Sequence, residues 1–465
     1  MPPLLRLALP LILGELGWMS MSVVDTIMVG RLPNSAVAMS AAALAQVLFN
    51  TLCFGVGGIL LALDTLVSQA FGARQTEEAN RWLLHGLVLA TALAALLTGT
   101  FFASSSLLRH LPATPEIIAL AIPAMRGLAY GTLPLLLYFT LRRYLQAAHH
   151  ARSIAYALVT ANLVNAVLDW LLIYGHKFTI AGARFTLPSF GVEGSAWATS
   201  IARVYLMVFL LAAVLLADRR HHYGLLATTR DRMRRRIELQ HLRRLLVLGS
   251  PAGASIFVEI AIFALVTTLI ANFGPLSLAG HEVALQVAST TFMVPFAISA
   301  ATSVRVGHAV GRSRSGLGPS SAIAAAGWSG IIAGAGFMLV ASVVLLVMPG
   351  PIARIFTPDR AVIAAAVPLL LVASGFQFFD GLQITITGAL RGAGNTTSPL
   401  YTQIVCYWIV GMPLGMWFSF RAHLGALGLW LGLLFALTGA SIVLMTVWLR
   451  TTASLQNLAL PTSER

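Results

Sequence analysis

The chain contains twelve apolar runs, each long enough to cross a membrane, and this pattern limits what it can fold into. A helical crossing needs about 20 apolar residues. Membrane-spanning strands would alternate polar and apolar residues instead. The sequence therefore predicts an all-α membrane protein, with spans numbered 1 to 12 at approximately 7–30, 39–63, 82–105, 117–145, 152–175, 194–217, 244–271, 279–305, 322–348, 361–388, 398–420 and 425–449.

The charged residues are too few for a soluble protein. They make up 10% of the chain, and 58% is hydrophobic, whereas soluble proteins carry about 25% charged residues. The net charge of +14 would suit nucleic-acid binding. The arginines, however, lie in short loops between apolar runs, where they set the topology of a membrane protein. We expect the lipid bilayer as a partner, no nucleic acid, and a monomer.

Several kinds of chemistry find no matching motif in the sequence. Lys177 is the only lysine and lies in GHKFT, so there is no Gly-rich loop ending in Gly-Lys-Ser/Thr to bind ATP. Cys53 and Cys406 lie in distant apolar segments and give no metal or disulfide pattern. There is also no HExxH and no nucleophile elbow. We therefore expect no enzymatic activity. Without an ATP-binding loop, any uphill transport would need an ion gradient or a partner's ATPase, so we expect no cofactor beyond a coupling ion.

The loop after span 6 carries most of the topological information. Residues 218–244 hold nine arginines, which predicts a cytoplasmic loop and, with six spans on each side, cytoplasmic termini. The other loops after even-numbered spans also carry arginines, among them Arg142 and Arg143. We expect four parts: a first six-helix lobe, a basic linker, a second six-helix lobe and a cytoplasmic tail, at 1–217, 218–243, 244–450 and 451–465.

The two halves of the sequence repeat each other. Pro10 in LALP matches Pro251 in LGSP, 241 residues later, and SQAFG at 68–72 matches GHAVG at 307–311, 239 residues later. With six spans per half, both copies have the same orientation in the membrane. Parallel repeats of this kind build secondary transporters.

Five acidic residues lie well inside spans, where a charge costs roughly 2.5–3.5 kcal/mol and is seldom without a role. Asp25 and Asp169 lie at about the same depth, roughly 9 Å outward of the midplane at 1.5 Å rise per residue. Asn165 is one helical turn before Asp169 on the same face. Their oxygens suit a hard cation such as Na⁺, and a pair of carboxylates can equally hold a proton. The other three acids are Glu15, Glu259 and Asp380.

Glu259 and Asp380 have aromatic and amide neighbours at helical spacing. Phe263 follows Glu259 by one turn, and Asp380 is flanked at helical spacing on its own helix. The four candidates for cavity lining are Phe263, Phe376, Gln377 and Gln383. An acid beside aromatic rings suits an organic cation, although the same acid can carry a proton.

Ion pairing offers a purely structural alternative for the buried acids. Arg203 and Arg126 also lie inside spans, so either arginine could serve as the partner of Asp25 or Asp169. For Glu15 the sequence indicates no partner.

Several segments together resemble the MATE family of multidrug and toxin extrusion transporters. They are VVDTIMVGRL, ALDTLVSQAFGA, VEIAIFALVTTLIANFG, HEVALQVASTTFMVPFAISAATSVRVGHAVG, GFQFFDGLQITITGALRGAGNTT and YWIVGMPLG. The resemblance covers nearly the whole chain in order. It implies two pseudo-symmetric six-helix lobes around a central cleft, and export of organic cations or amphiphiles in exchange for Na⁺ or H⁺ by alternating access.

The resemblance also implies roles for particular acids. The NorM-like branch uses a glutamate in span 7 and an aspartate in span 10, which correspond to Glu259 and Asp380. The DinF-like branch uses acids in spans 1 and 5 with an asparagine between them, which correspond to Asp25, Asn165 and Asp169. This chain carries both sets, so either half could hold the coupling ion.

We therefore expect a cation-coupled multidrug antiporter of the bacterial inner membrane. A flippase for lipid-linked sugars, from the wider superfamily, is one rival; such proteins tend to have fourteen spans and a cationic cavity. A channel or a non-transporting membrane protein is another, and the repeat with unequal acids in its two halves argues against it.

Overall fold

The computed structural model of the protein describes residues 2–104, 114–180, 183–225, 228 and 238–457. Residues 226–227 and 229–237 of the basic linker and the end of the C-terminal tail lie outside these residues. In the first half of the chain the helices are α1 (Pro2–Val29), α2 (Ser35–Gly57), α3 (Ala62–Gly72), α4 (Thr76–Ser104), α5 (Pro115–Tyr130), α6 (Thr132–Ala147), α7 (Ala151–Tyr174) and α8 (Gly191–His221).

The second half is also helical. Its helices are α9 (Leu239–Ala271), α10 (Pro275–Arg314), α11 (Ser321–Val347), α12 (Pro349–Phe356), α13 (Arg360–Ala393), α14 (Thr397–Gln403), α15 (Met412–Met416) and α16 (Ala426–Asn457). Among the described residues, eleven helical segments are long and apolar enough to cross a membrane, and the bent pair α5–α6 makes a twelfth. The prediction of an all-α membrane protein with twelve spans is confirmed.

Span 4 bends by 43° between α5 and α6. Gly131 lies at the break, and a Cβ atom there would come within 2.5 Å of Ser200 Oγ and 3.0 Å of Arg203 Nη1. Only glycine lets α8 approach the bend this closely.

Two local features were not predicted from the sequence. A β-hairpin, β1 (His176–Ile180) with β2 (Ala183–Leu187), connects α7 to α8, and Phe178 pairs with Phe185 in its register. Span 11 contains two π-helical stretches, Ile404–Gly411 and Trp417–Arg421. Pro413 follows the first; it has no N–H to bond four residues back, so an ordinary α-helix cannot continue unchanged there.

The chain forms two compact units that do not follow the sequence halves in every segment. One unit contains Leu13–Leu63 and Thr76–Leu246, and we call it unit A. The other contains Met1–Ile12, Asp64–Gln75 and Val247–Arg465, and we call it unit B. The end of span 2 therefore packs with the second half of the chain, while the lobe boundaries expected from sequence remain a prediction.

Within unit B, small residues let α3 and α10 pack in close contact. A Cβ at Gly72 would lie 2.3 Å from the His308 carbonyl oxygen, and one at Gly311 would lie 2.0 Å from that of Gln69. These glycines end the two motifs SQAFG and GHAVG that match in the repeat. The pattern is the small-xxx-small spacing that brings membrane helices together.

Because this contact leaves no room for a methyl group, Gly311→Ala is expected to destabilise the protein by about 1–3 kcal/mol through overpacking. Gly336 is the matched control, since it is exposed on α11 and a Cβ there meets nothing within 4 Å. Gly336→Ala should leave the midpoint of thermal unfolding in detergent unchanged or raise it. Equal midpoints for the two variants would contradict the packing account.

Candidate ion and substrate sites

In unit A, Asp25, Asn165 and Asp169 form one hydrogen-bonded cluster. The Asn165 Nδ2 donates to Asp25 Oδ1 at 2.5 Å and to Asp169 Oδ2 at 2.7 Å. The two carboxyl groups also lie within hydrogen-bonding reach of each other. At most 4% of each of the three residues is exposed. The three side chains that were grouped by depth and helical spacing are therefore in contact. Their role in ion coupling remains a prediction.

The cluster has a fourth member that the sequence analysis did not single out. Thr199 on α8 donates from its hydroxyl to Asp25 Oδ2 at 3.2 Å. It follows Ser195 by one turn in GSAWATS, so a polar stripe in span 6 was the available signal. Three helices, α1, α7 and α8, therefore hold the two carboxyl groups in place.

The contact between α1 and α7 is built from small and polar residues. A Cβ at Gly14 would touch Leu158 at 3.0 Å. The Asn162 Nδ2 donates to the Gly17 carbonyl at 2.8 Å, and Ser20 donates to Asn162 Oδ1 at 3.1 Å. Asn162 precedes Asn165 by one turn, so the same face of α7 bonds α1 twice. This seam fixes the height of Asp25 relative to Asp169.

Glu15 has a partner that the sequence did not indicate. Its carboxylate forms a buried ion pair with Arg142 on α6, and both side chains are less than a tenth exposed. The expectation that Arg142 belongs to a cytoplasmic loop was wrong, because α6 continues to Ala147 and turns Arg142 into the core of unit A. A buried charge needs a partner, so we assign Glu15 a structural role.

Arg203, the ion-pair partner considered for Asp25, lies close to it without pairing. It is 3% exposed, and its Cζ lies 4.3 Å from the centre of the Phe49 ring. It interacts electrostatically with Asp25, yet none of the ion pairs among the described residues includes it. Arg126, the other arginine considered, is exposed on α5.

In unit B, Glu259 and Asp380 lie near each other. Asp380 is 5% exposed and interacts electrostatically with Glu259 on α9. The Gln403 Nε2 donates to Glu259 Oε2 at 3.4 Å, and the Ser255 hydroxyl donates to the side-chain oxygen Oε1 of Gln403. Gln403 thus links two residues of α9 that are one turn apart.

The predicted neighbours of Asp380 all lie on α13 and are buried. Gln377 donates to Thr291 on α10, whereas neither polar atom of the Gln383 amide has a hydrogen-bond partner among the described residues. Phe376 packs edge-on against Phe263, with ring centres 6.1 Å apart. The acid, amide and aromatic groups therefore share one region of unit B; whether they line a cavity remains a prediction.

Two further residues of this region come from span 11. Gln403 ends α14, and Tyr407 follows it by four residues inside the first π-helical stretch. Tyr407 is 2% exposed and lies within electrostatic range of both Glu259 and Asp380. Only the polar residues in YTQIVCYW hinted at these positions, and a π-helix cannot be read from periodicity.

An aromatic and histidine network lies behind Phe376. The Trp430 Nε1 donates to His281 Nδ1 at 3.1 Å, and His281 Nε2 bonds the Thr267 hydroxyl at 2.8 Å. His281 is fully buried, and its two ring nitrogens join α9, α10 and α16. The Phe376 and Trp430 rings are 5.6 Å apart. The network supports the aromatic side of the Glu259–Asp380 region.

At the turn before α7, His150 lies among the rings of the first linker residues. Tyr223 contacts His150 at 3.4 Å, and the His221 ring lies 5.0 Å from that of His150. Burial, and then the neighbouring His221, lower the pKa of His150. His150 thus holds the start of the linker against the end of α6.

Comparison with known proteins shows to which family the chain belongs. The MatE family model matches residues 10–171 and 251–417, which include every acid discussed above. The chain belongs to the MatE family. It is 33% identical over 433 residues to a probable multidrug resistance protein NorM of Bradyrhizobium diazoefficiens, covering 92% of this chain and 88% of the relative. To the multidrug resistance protein PmpM of Pseudomonas aeruginosa it is 32% identical, covering 95% and 89%.

Solved structures of MATE transporters share the fold. The eukaryotic MATE transporter AtDTX14 superposes with a TM-score of 0.80 at 19% identity, covering 99% of this chain and 98% of that one. A MATE structure in a bent conformation gives 0.85 at 21% identity, covering 98% and 96%. MatE proteins are transporters, so the expectation that the chain is not an enzyme is confirmed.

Proposed function

We propose that this MatE protein exports organic cations and amphiphilic drugs across the membrane in exchange for protons, by alternating access. The relatives named as multidrug resistance proteins support the substrate class. In the proposed cycle an external proton binds the Asp25–Asp169 pair and favours the state that has released drug. Coupling arises because the proton has different affinities for the two states.

One observation carries the choice of proton over sodium. The Asn165 amide nitrogen lies between the two carboxylates and donates to both. A sodium ion bound there would require oxygen ligands where that nitrogen lies. Two negative charges so close together and out of water repel strongly, and a shared proton relieves that repulsion with no change in the ligand geometry.

The Glu259–Asp380 region is the proposed binding place for the cationic part of the substrate. It joins two acids with the Phe263 and Phe376 rings, so charge and cation–π attraction act together. The proposed cycle uses the proton as coupling ion and needs no cofactor and no nucleic-acid partner. We propose that the monomer is the transporting unit.

The arginine distribution supports the proposed placement in the bacterial inner membrane with both termini in the cytoplasm. The nine arginines of residues 218–244 would then face the cytoplasm.

Glu259→Gln is expected to weaken binding of permanently cationic dyes by about 1–2 kcal/mol while neutral substrates lose little, because charge attraction at a partly desolvated site is of this size. Equilibrium binding of a cationic and a neutral dye to the purified variant in detergent measures the difference. An equal loss for both dyes would remove this charge from the substrate site. Phe257→Leu is the control. Phe257 lies two residues before Glu259 on the same helix and is exposed, so this variant should bind both dyes normally.

The transport proposal is tested by dye movement in inside-out vesicles from cells that express the chain. Vesicles energised to an acidic interior should concentrate a cationic dye inside against its gradient, and a protonophore should release it. A channel would only equilibrate the dye. A flippase would leave it unmoved and translocate a lipid-linked sugar, so either result would exclude the proposed function.

A further inference from the structure

Arg203 is a buried cation that forms no ion pair with any residue the structure describes. Its Nε and Nη1 atoms have no hydrogen-bond partner among the described residues. The Phe49 ring stacks beneath the guanidinium. Gly131 has no side chain and so leaves room for the Arg203 guanidinium. The helices around it are thus shaped to hold the group. A guanidinium keeps its proton under all physiological conditions, so this positive charge is permanent.

A permanent buried charge needs an opposite charge in the same interior. The titratable groups that face Arg203 from the helices packed around it are Asp25 on α1 and Cys53 on α2, and Asp25 in turn contacts Asp169 on α7. Glu15 is already neutralised by Arg142, and Arg126 on α5 is exposed. The Asp25–Asp169 pair is therefore the counter-charge of Arg203.

Charge balance then limits how many protons the pair can hold. With one proton shared between the carboxyl groups, the pair carries −1 and Arg203 carries +1, so the group is neutral. With two protons, the positive charge would be left uncompensated; with none, the group carries −1. A fixed positive charge favours the forms of the pair that carry fewer protons, so Arg203 opposes uptake of the second proton. The pair therefore alternates between the singly protonated and the unprotonated form.

We propose that Arg203 is a positioning residue that keeps one negative charge on the Asp25–Asp169 pair, so that the pair exchanges one proton per cycle and not two. The inference rests on the proposed proton antiport and sets its stoichiometry. In each cycle one proton leaves a carboxyl oxygen of the pair to the cytoplasm, and one from outside replaces it. No other bond forms or breaks.

Infrared spectroscopy of the purified protein counts protonated carboxyl groups without any transport. The parent for this test is the Glu259→Gln, Asp380→Asn variant, in which the two buried carboxyl groups of unit B are absent. It is measured in sodium-free buffer near neutral pH. Subtracting the spectrum of the same protein with Asp25→Asn and Asp169→Asn isolates the pair. We expect one protonated carboxyl in the parent, about twice that band intensity with Arg203→Gln, and the parent intensity with Arg203→Lys. Equal intensities in the Gln variant and the parent would overturn the proposal.

A second variant keeps the test valid should Arg203→Gln fail to fold. Asp169→Asn leaves Asp25 alone beside Arg203, so its carboxyl band should disappear from the protonated region. A remaining protonated band at Asp25 would overturn the assignment. Because these spectra involve no dye and no gradient, a failure of proton-driven export would leave the counter-charge result standing, and the reverse also holds.

Discussion

Asp25→Asn is expected to reduce proton-driven dye export to the level of liposomes without protein, while the variant inserts and folds. Asparagine has nearly the same size. Its side-chain oxygen can accept the hydrogen bond from Asn165 and its amide nitrogen can donate to the Thr199 hydroxyl, so the seam between α1 and α7 is preserved. It cannot take up or release a proton. The measurement is dye efflux from proteoliposomes under an imposed pH gradient, with the amount of reconstituted protein determined for each preparation.

Thr199→Val is the matched control for that experiment. It removes the hydroxyl that bonds Asp25 Oδ2 but leaves both carboxyl groups, so its cost should be that of one hydrogen bond, about 0.5–1.5 kcal/mol. Export should slow without stopping. Export by Asp25→Asn at the wild-type rate would exclude the unit A cluster as the coupling site.

Glu15→Gln is expected to act on stability and not on coupling. It leaves the Arg142 guanidinium buried without its counter-ion, and breaking a buried pair from one side costs about 3–5 kcal/mol. The midpoint of thermal unfolding in detergent should fall accordingly, and the properly folded fraction should still export dye. This outcome would separate two acids that lie on the same helix ten positions apart.

The pair Glu15→Leu with Arg142→Met tests whether charge is the reason. Replacing both members by apolar residues of similar volume is often neutral or stabilising, so the double variant should unfold close to the wild-type midpoint. If the double variant is as unstable as the single one, the ion pair is not what holds this part of unit A together.

The sequence predicted the spans and the unit A cluster because both depend on simple geometry. Apolar length defines a span, and the 1.5 Å rise per residue places Asp25 and Asp169 at one depth. Asn165 followed from the helical repeat. These predictions require no knowledge of which helices are in contact. They assume only that buried acidic side chains lie next to other polar side chains.

Contacts that depend on helix rotation could not be predicted in this way. Arg142 was grouped with the loop after span 4 because it lies near the end of that span, in a run of arginines. Only the rotation of α6 towards α1 makes it the partner of Glu15. Arg203 could be recognised as intramembrane, but its place over Phe49 depends on the bend at Gly131.

The unit B region was only partly predictable for a related reason. The neighbours of Asp380 on its own helix follow from spacing. Gln403 and Tyr407 reach Glu259 and Asp380 from another helix, through a π-helical stretch whose wider turn breaks the period on which such a prediction relies.

The central claim, that a proton drives export, is tested most directly by giving the reconstituted protein one gradient at a time. Proteoliposomes loaded with a permanently cationic dye are exposed first to a pH gradient without sodium, and then to a sodium gradient at equal pH. The account predicts dye movement against its gradient in the first case, none in the second, and none in either case for Asp25→Asn. Dye export driven by sodium alone would contradict it.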